Sequence, residues 1–327
     1  MHDVARLAGV SAQTVSRVST GADTVRPETR DRVLRAIEQL GYTPNNAARA
    51  LRSGSFGTIG VIAHRLARTG ESRTVEAVVE AARANDYTVT LDDVRSPSSS
   101  DVTAAVQQLV HQSIDGLIII RAEIETPTAL VLPQHVPVAV SDSRLIGHHP
   151  AVGADQVGGT RSAVTHLLEL GHRTVHHLSG PPDSGPAGIR VAAWRATLTA
   201  AGRAVPEALT GDWSARSGYE LGARVAQMPE VTAVFCANDE MAAGLIRALS
   251  EAGRRVPEDV SVVGFDGIPL GEYLSPPLTT VRQDFQRIGE ELVRLVLAQL
   301  DGGTAPDVHV EVPTELVIRR STAAPAH

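Results

Sequence analysis

Four residues near the amino terminus have the types and the spacing needed to read DNA bases. The apolar pair Val15 and Val18 predicts a short helix with one buried side. The opposite face is small and polar and consists of Ala12, Gln13, Ser16 and Arg17. In the major groove, Gln can pair with adenine and Arg with guanine through two hydrogen bonds each. This helix is therefore a candidate for base recognition.

A second set of polar residues directly follows apolar, strand-like runs further along the chain. The set comprises Asp142, Asn238, Asp239 and Asp266. The carboxyl ends of parallel strands line ligand clefts, where such groups can exchange hydrogen bonds with hydroxyls. Any one of them alone is more often a helix cap, Asp239 especially. Their shared position after strands is the argument for a binding site.

Local turn signals position the base-reading helix. The apolar residues Val4, Ala5, Leu7 and Ala8 cluster before Gly9 and predict a first helix. Gly9 can adopt the left-handed conformation that ends this helix, and Ser11 can accept a hydrogen bond from an amide at the start of the next one. A third helix from Glu28 to Leu40 is expected to turn Val33, Ile37 and Leu40 inward. The three helices would close a small core.

From Thr58 onward, short apolar strands alternate with helices. The first such unit reads as a strand over 58–63, a helix over 72–84 and a strand over 87–91. The alternation continues to the strand over 260–265, and a helix over 286–300 and two further strands complete it. Continuously apolar strands separated by helices indicate a parallel sheet covered on both faces. The fold class predicted is a small all-α helix-turn-helix head plus an α/β body of two doubly wound parallel-sheet subdomains.

Composition limits the possible functions. The 327 residues can form two or three domains, and the net charge is -7. Residues 1–54 carry eight Arg against five acidic residues, so a basic head precedes an acidic body, which points to nucleic acid. One cysteine, no signal peptide and no long apolar run lead us to expect a soluble cytoplasmic protein that associates with the nucleoid and has no membrane contact.

The head resembles the lactose/galactose repressor (LacI/GalR) family. The motifs that carry the resemblance are Asp3-Val4-Ala5-Arg6, Ala8-Gly9-Val10-Ser11, Thr14-Val15-Ser16-Arg17, Gly41-Tyr42-Thr43-Pro44-Asn45 and Ala48-Arg49-Ala50-Leu51. A generic three-helix bundle is the alternative. The resemblance implies a hinge helix after the head, whose Leu51 is inserted into the minor groove of operator DNA. A flexible linker is the other interpretation of this segment. The DNA-binding residues expected are Ala12, Gln13, Thr14, Ser16, Arg17, Arg30, Asn45, Ala48, Arg49 and Leu51.

The resemblance extends through the body, for example in Ala237-Asn238-Asp239, Val263-Gly264-Phe265-Asp266 and Pro277-Leu278-Thr279-Thr280-Val281. It implies a periplasmic-binding-protein-like body whose effector pocket contains Asp142, Arg190, Asn238, Asp266 and, close by, Gln283. Trp213 and Phe285 fall where the family places aromatic rings against a sugar. Core packing is the alternative for both rings.

The amino-terminal side of the implied pocket departs from that of the family's lactose-responsive member. In place of a small hydroxyl and an apolar wall, the chain has His64, Arg68 and Glu71. These polar residues motivate a larger or more polar sugar, such as an oligosaccharide.

The expected domains are a helix-turn-helix head over residues 1–44, a hinge and linker over 45–56, an amino-terminal subdomain over 57–154 with 284–312, and a carboxy-terminal subdomain over 155–283 with 313–327. The function expected is a homodimeric transcriptional repressor that binds a pseudopalindromic operator and responds to a sugar or glycoside effector. A sugar-binding receptor without a DNA role and a carbohydrate-active enzyme are the alternatives. No GxSxG, P-loop or metal-ligand spacing is present, so neither catalysis, a metal nor another cofactor is expected.

We predict that Arg17→Ala abolishes specific operator binding, whereas Gln13→Ala relaxes the preference at one base pair. Each lost bidentate contact with a base costs about 1–3 kcal/mol. Footprinting and binding titrations of both variants on a selected operator measure the effect. Footprints identical to that of the unmodified protein would contradict the proposed docking of this helix.

Overall fold

The computed structural model describes residues 1–19, 24–42, 55–94, 99–120, 132, 136–141, 148–303 and 308–326. The chain divides into two compact units, a head over Met1–Gly57 and a body over Thr58–His327. None of the described helices is long and apolar enough to cross a membrane.

The described part of the head contains three helices, α1 (His2–Ala8), α2 (Ala12–Ser19) and α3 (Pro27–Gln39). Gly9 ends α1 in the left-handed conformation, with φ of 62°. The Ser11 hydroxyl accepts a hydrogen bond from the Thr14 amide at 3.1 Å. Val15 and Val18 are buried against residues of α1 and α3. The predicted turn and the orientation of α2 are therefore confirmed.

Two leucines of the head are exposed, and one of them, Leu40, was predicted to face the core. On α1 the buried residues are Val4, Ala5 and Ala8, and at about 100° per residue this face leaves Leu7 to one side. On α3 the helix ends at Gln39, so Leu40 is its capping residue and projects into solvent. The prediction of an inward Leu40 was therefore wrong.

The body contains two lobes, each built on one sheet. Lobe 1 has the strand order β11-β5-β4-β3-β1-β2, and all its described pairings are parallel. Its strands are β1 (Thr58–His64), β2 (Thr88–Val94), β3 (Gly116–Ile120), β4 (Val138–Ser141), β5 (Ala151–Ala154) and β11 (His309–Val312). Helices α4 (Thr69–Ala84) and α10 (Phe285–Leu300) cover one face, and α5 (Ser99–His111) covers the other.

Lobe 2 has the strand order β12-β10-β9-β8-β6-β7, in which only β12 runs antiparallel to its described neighbour. Its strands are β6 (His176–Ser179), β7 (Leu209–Thr210), β8 (Ala233–Cys236), β9 (Ser261–Asp266), β10 (Thr279–Arg282) and β12 (Glu315–Val317). Helices α8 (Ala215–Ala226) and α9 (Asp239–Glu251) cover one face, and α6 (Gln156–Glu169) and α7 (Gly185–Ala200) cover the other. The predicted fold class is confirmed.

Within the described residues the chain passes between the lobes three times. The crossings lie between β5 and α6, between β10 and α10, and between β11 and β12. Strands β5, β7 and β10 were not predicted. Each has four residues or fewer, too few for a periodic pattern to stand out.

Helices α8 and α9 touch through their backbones at glycine positions. A Cβ added to Gly244 would lie 2.0 Å from the Ala215 carbonyl oxygen, and one added to Gly218 would lie 2.2 Å from that of Met241. Since backbone atoms cannot move aside as a side chain can, the close approach requires glycine. This contact holds α9, whose amino-terminal end carries Asn238, against α8.

We predict that Gly244→Ala lowers the free energy of unfolding by about 1–3 kcal/mol, because it overpacks this helix contact. Gly188→Ala in α7 is the matched control, since a Cβ at that helical position meets nothing within 4 Å. The control should raise stability by about 0.5–1 kcal/mol through a less flexible unfolded chain. Urea unfolding of both variants tests the contrast, and equal effects would contradict the close approach.

Candidate DNA-reading helix and ligand-binding cleft

The described base-reading helix presents the predicted face only in part. Gln13 and Arg17 are exposed, Ser16 and Arg30 are half-buried, and Ala12 packs against the core of the head. The Thr14 hydroxyl lies 3.0 Å from that of Ser11, so it supports the turn. Gln13 and Arg17 are therefore the two exposed side chains of the face predicted to contact bases. The predicted hinge residues Asn45, Ala48, Arg49 and Leu51 lie outside the described residues.

Four buried side chains in the body form a closed polar network. Arg190 Nε donates a hydrogen bond to Gln156 Oε1 at 2.7 Å, and Gln156 Nε2 donates to Gln283 Oε1 at 3.4 Å. Gln283 Nε2 donates to Asp266 Oδ1 at 2.6 Å, which lies 3.6 Å from Arg190 Nη2. The network brings together the predicted residues Arg190, Asp266 and Gln283. Sequence reasoning missed Gln156, which follows the unpredicted strand β5.

Arg190 has further partners beyond the polar network. Its side chain is only 1% exposed, and Nη1 donates a hydrogen bond to the Ala237 carbonyl oxygen. The guanidinium carbon lies 3.7 Å from the centre of the Phe265 ring and 5.5 Å from that of Trp213. Burying a charge is costly unless it is paired and hydrogen-bonded, so these contacts hold the guanidinium in place.

Asn238 and Asp239 hold different neighbouring segments in place. Asn238 caps α9, since its Oδ1 accepts a hydrogen bond from the Met241 amide at 3.0 Å. Asp239 accepts hydrogen bonds from the Ile268 amide at 2.8 Å and the Thr280 hydroxyl at 2.5 Å. Burial, together with the nearby charge of Asp266, raises the pKa of Asp239 well above its ordinary value. The helix-cap interpretation therefore applies to Asn238 rather than to Asp239.

Trp213 is a buried aromatic residue in a loop, as its position predicted. Its backbone has φ of 77°, and its side chain is 6% exposed. A Cβ added to Gly180 would lie 2.4 Å from the indole ring, so glycine is required beside it. Within the described residues, the buried indole N–H has no hydrogen-bond partner. It is thus a donor that a ligand could use.

Phe285 lies between the core of lobe 1 and a cavity. It is half-buried, begins α10 and packs against the core of lobe 1. It also lines a cavity of about 320 Å³ together with Asp266 and Gln283, and α4 contributes Arg73 and Ala77 to the lining.

The amino-terminal side of the predicted pocket is more buried than its polarity suggested. His64 lies at the carboxyl end of β1, where its Nδ1 is 2.8 Å from the Val94 carbonyl oxygen of β2. Glu71 is fully buried in the first turn of α4 and lies 3.7 Å from Arg68. Asp142 lies outside the described residues. His64 thus links two strands, while Arg68 and Glu71 form an ion pair at the start of α4.

No group of three His, Cys, Asp or Glu side chains that could hold a metal ion occurs in the described parts of the chain. His177 is instead part of the lobe 2 core. Its ring stacks on Phe235 with centres 4.8 Å apart, and its Nδ1 lies 2.9 Å from the Phe235 carbonyl oxygen. Burial lowers the pKa of His177 from 6.5 to about 4, and the positive charge of Arg190 contributes to the shift.

Comparison with known proteins agrees with both parts of the chain. Residues 1–45 match the family of bacterial regulatory proteins, lacI family, and residues 164–322 match a periplasmic binding protein-like domain. The chain is 36% identical to the lactose operon repressor of Escherichia coli (strain K12), over 99% of this chain and 91% of that protein. It is similar to the crystal structure of the lac repressor dimer bound to operator and the anti-inducer ONPF, with a TM-score of 0.87, 34% identity and 98% coverage of each chain. For the CelR–cellobiose complex the TM-score is 0.74, with 32% identity and 98% coverage of each chain.

We predict that His177 by itself lowers the free energy of unfolding by about 3 kcal/mol as the pH falls from 6.5 to 4, because the unfolded chain protonates His177 before the folded protein does. The folded-state pKa is depressed, so the contribution is complete above pH 6.5 and is lost as the pH falls. Urea unfolding of the unmodified protein and of His177→Leu across this range measures it. The variant should show a shallower decline, and parallel curves would contradict the assignment.

Proposed function

Because the chain belongs to the LacI family of bacterial transcriptional regulators, we propose that it represses carbohydrate-utilisation genes and leaves its operator when a sugar or glycoside binds between the lobes. The observation that carries the proposal is that a single chain combines the exposed pair Gln13 and Arg17 with a two-lobed body. That body collects polar side chains, including Asp266, at the carboxyl ends of its strands.

The proposed effector is a saccharide. The body contains a guanidinium, a carboxylate and amides in one buried network, which can exchange hydrogen bonds with vicinal hydroxyls. The buried Trp213 provides an aromatic face for the C–H side of a sugar and an N–H donor. The CelR complex contains cellobiose, and we propose a ligand of the same class, a saccharide, for this chain. We propose an oligosaccharide rather than a monosaccharide, because the cellobiose of that complex is a disaccharide.

The proposed assembly is a homodimer on a pseudopalindromic operator. A 3-10 helix over Pro269–Tyr273 exposes Leu270 by 57% and Tyr273 by 82%. Residues three apart in such a helix lie on one side, so the two side chains form an exposed apolar pair. Exposed apolar surface of this kind is typical of a protein interface. A monomer in sedimentation velocity at micromolar concentration would count against the dimer.

The proposed mechanism is thermodynamic linkage between effector and operator. We assign residues 57–154 with 284–312 and residues 155–283 with 313–327 to the two effector subdomains, and residues 45–56 to the hinge. Effector binding changes the arrangement of the subdomains and thereby the geometry of the hinges that operator binding requires. A coupling of about 1–3 kcal/mol would change operator affinity about 5- to 150-fold.

The proposed place of action is the cytoplasm, at the nucleoid, where the operator is found.

A sugar receptor without a DNA role is a weaker candidate because it would have no use for the base-reading helix. The family relatives are transcriptional regulators, so catalysis is not part of the proposal.

We predict that a genome-wide binding selection with the purified protein recovers one palindromic site, which one saccharide of a panel releases. Arg17→Ala is the control for specific DNA binding. The panel contains each monosaccharide together with its disaccharide and trisaccharide. Release of the operator by a monosaccharide alone would contradict the proposal that the effector is an oligosaccharide. Recovery of a site that no saccharide releases or strengthens would contradict the effector class but leave the DNA role intact. Recovery of no site would contradict the proposal that the protein is a repressor.

A further inference from the structure

A side-chain hydrogen bond joins the two lobes directly. Thr69 is the first residue of α4 in lobe 1, and Glu240 lies in the first turn of α9 in lobe 2. The Thr69 hydroxyl donates a hydrogen bond to Glu240 Oε1. Both residues are half-buried, so this bond is shielded in part from competition with water. It is separate from the three chain crossings, which join the lobes covalently.

Opposite charges on the two lobes act in the same direction as this bond. Arg68 directly precedes Thr69, and its side chain is only 14% exposed. Hydrogen bonds from Ser214 lower the pKa of Asp212 below its ordinary value, and the positive charge of Arg68 adds to this effect. The charges of Arg68 in lobe 1 and Asp212 in lobe 2 therefore attract each other, in addition to the hydrogen bond between Thr69 and Glu240.

The bond between the lobes continues to Trp213. Asn238 Nδ2 donates hydrogen bonds to Glu240 Oε2 at 2.8 Å and to the Trp213 carbonyl oxygen at 2.9 Å. Trp213 has a left-handed backbone, which is costly for a residue with a side chain and persists only where neighbouring contacts hold it. Separation of Thr69 from Glu240 would therefore loosen the support of the Trp213 loop.

We propose that Arg68, Thr69, Asp212 and Glu240 form a polar clamp that holds the two lobes together beside Trp213. The clamp adds a cost to ligand entry, because the lobes must separate before a ligand reaches the buried indole. If only a fraction of the molecules is open, the apparent affinity falls by that fraction. The four clamp residues would thus set the effector concentration at which the protein responds.

Fluorescence quenching can test the clamp without DNA or a sugar. The chain has two tryptophans, and Trp194 is fully buried with its indole N–H bonded to the Val175 carbonyl oxygen. Quenching by neutral acrylamide therefore reports mainly on Trp213, and Trp213→Phe supplies the Trp194 background. The clamp predicts that Thr69→Val raises the quenching constant about twofold or more, since it removes the hydroxyl and keeps the side-chain volume.

Thr197→Val is the matched control, because the Thr197 hydroxyl bonds only within its own helix, to the Ala193 carbonyl oxygen at 2.8 Å. It should leave the quenching constant unchanged. Glu240→Ala breaks the same bond from the other lobe, and the double variant should be no more open than either single variant. In the unmodified protein, about 1 M sodium chloride should raise quenching, since salt screens the attraction between Arg68 and Asp212.

The clamp would be overturned if Thr69→Val and Glu240→Ala had the same quenching constant as the unmodified protein. Additive increases of the quenching constant in the double variant would also overturn it. If Thr69→Val does not fold, as judged by circular dichroism, Glu240→Ala and the salt titration decide the matter. Since the experiment contains neither operator nor saccharide, its failure would leave the proposed repressor function untouched.

Discussion

The buried guanidinium of Arg190 is the constraint on which the body depends. Arg keeps its charge at any pH that the fold survives, so each donor must find an acceptor where almost no water reaches. The acceptors come from the start of α6, the end of β9 and the residue after β8. One charge thus fixes three segments of lobe 2 relative to α7. It also supports Asp266, whose φ of 108° needs contacts that hold it.

The features that sequence reasoning found reliably are those decided by neighbours in the chain. Gly9 ends α1 because it tolerates the left-handed conformation, and Ser11 caps the next turn through a bond three residues away. Both outcomes depend on local chemistry alone. Leu40 shows where such reasoning stops, because the residue continues the apolar spacing of α3 but follows the last helical residue. Placing Leu40 requires knowing where α3 ends, and the spacing of apolar residues does not give that position.

The ligand-binding side was harder to predict because its polar residues bond to distant parts of the chain. Asp266 and Gln283 could be placed from strand ends and family resemblance, but the role of Gln156 depends on its approach to Arg190, 34 positions away. Glu71 illustrates the opposite difficulty. Its charge suggested a residue that meets a ligand, whereas the fold buries it completely beside Arg68. The sequence shows directly which residues are charged, but only the complete fold shows which of them are buried.

The crossings between the lobes have a consequence for synthesis on the ribosome. Lobe 1 begins at Thr58, yet α10 and the edge strand β11 that complete it are made after the whole central part of lobe 2. Until residue 300 has emerged, the face of the lobe 1 sheet that α10 covers stays open, with Ile59 and Val61 lacking their partners Ile288 and Leu292. An unfinished apolar face of this kind is prone to aggregation and is a substrate for chaperones. The nascent chain must therefore carry an incomplete first lobe through the translation of more than half its length, and slow translation would lengthen that exposure.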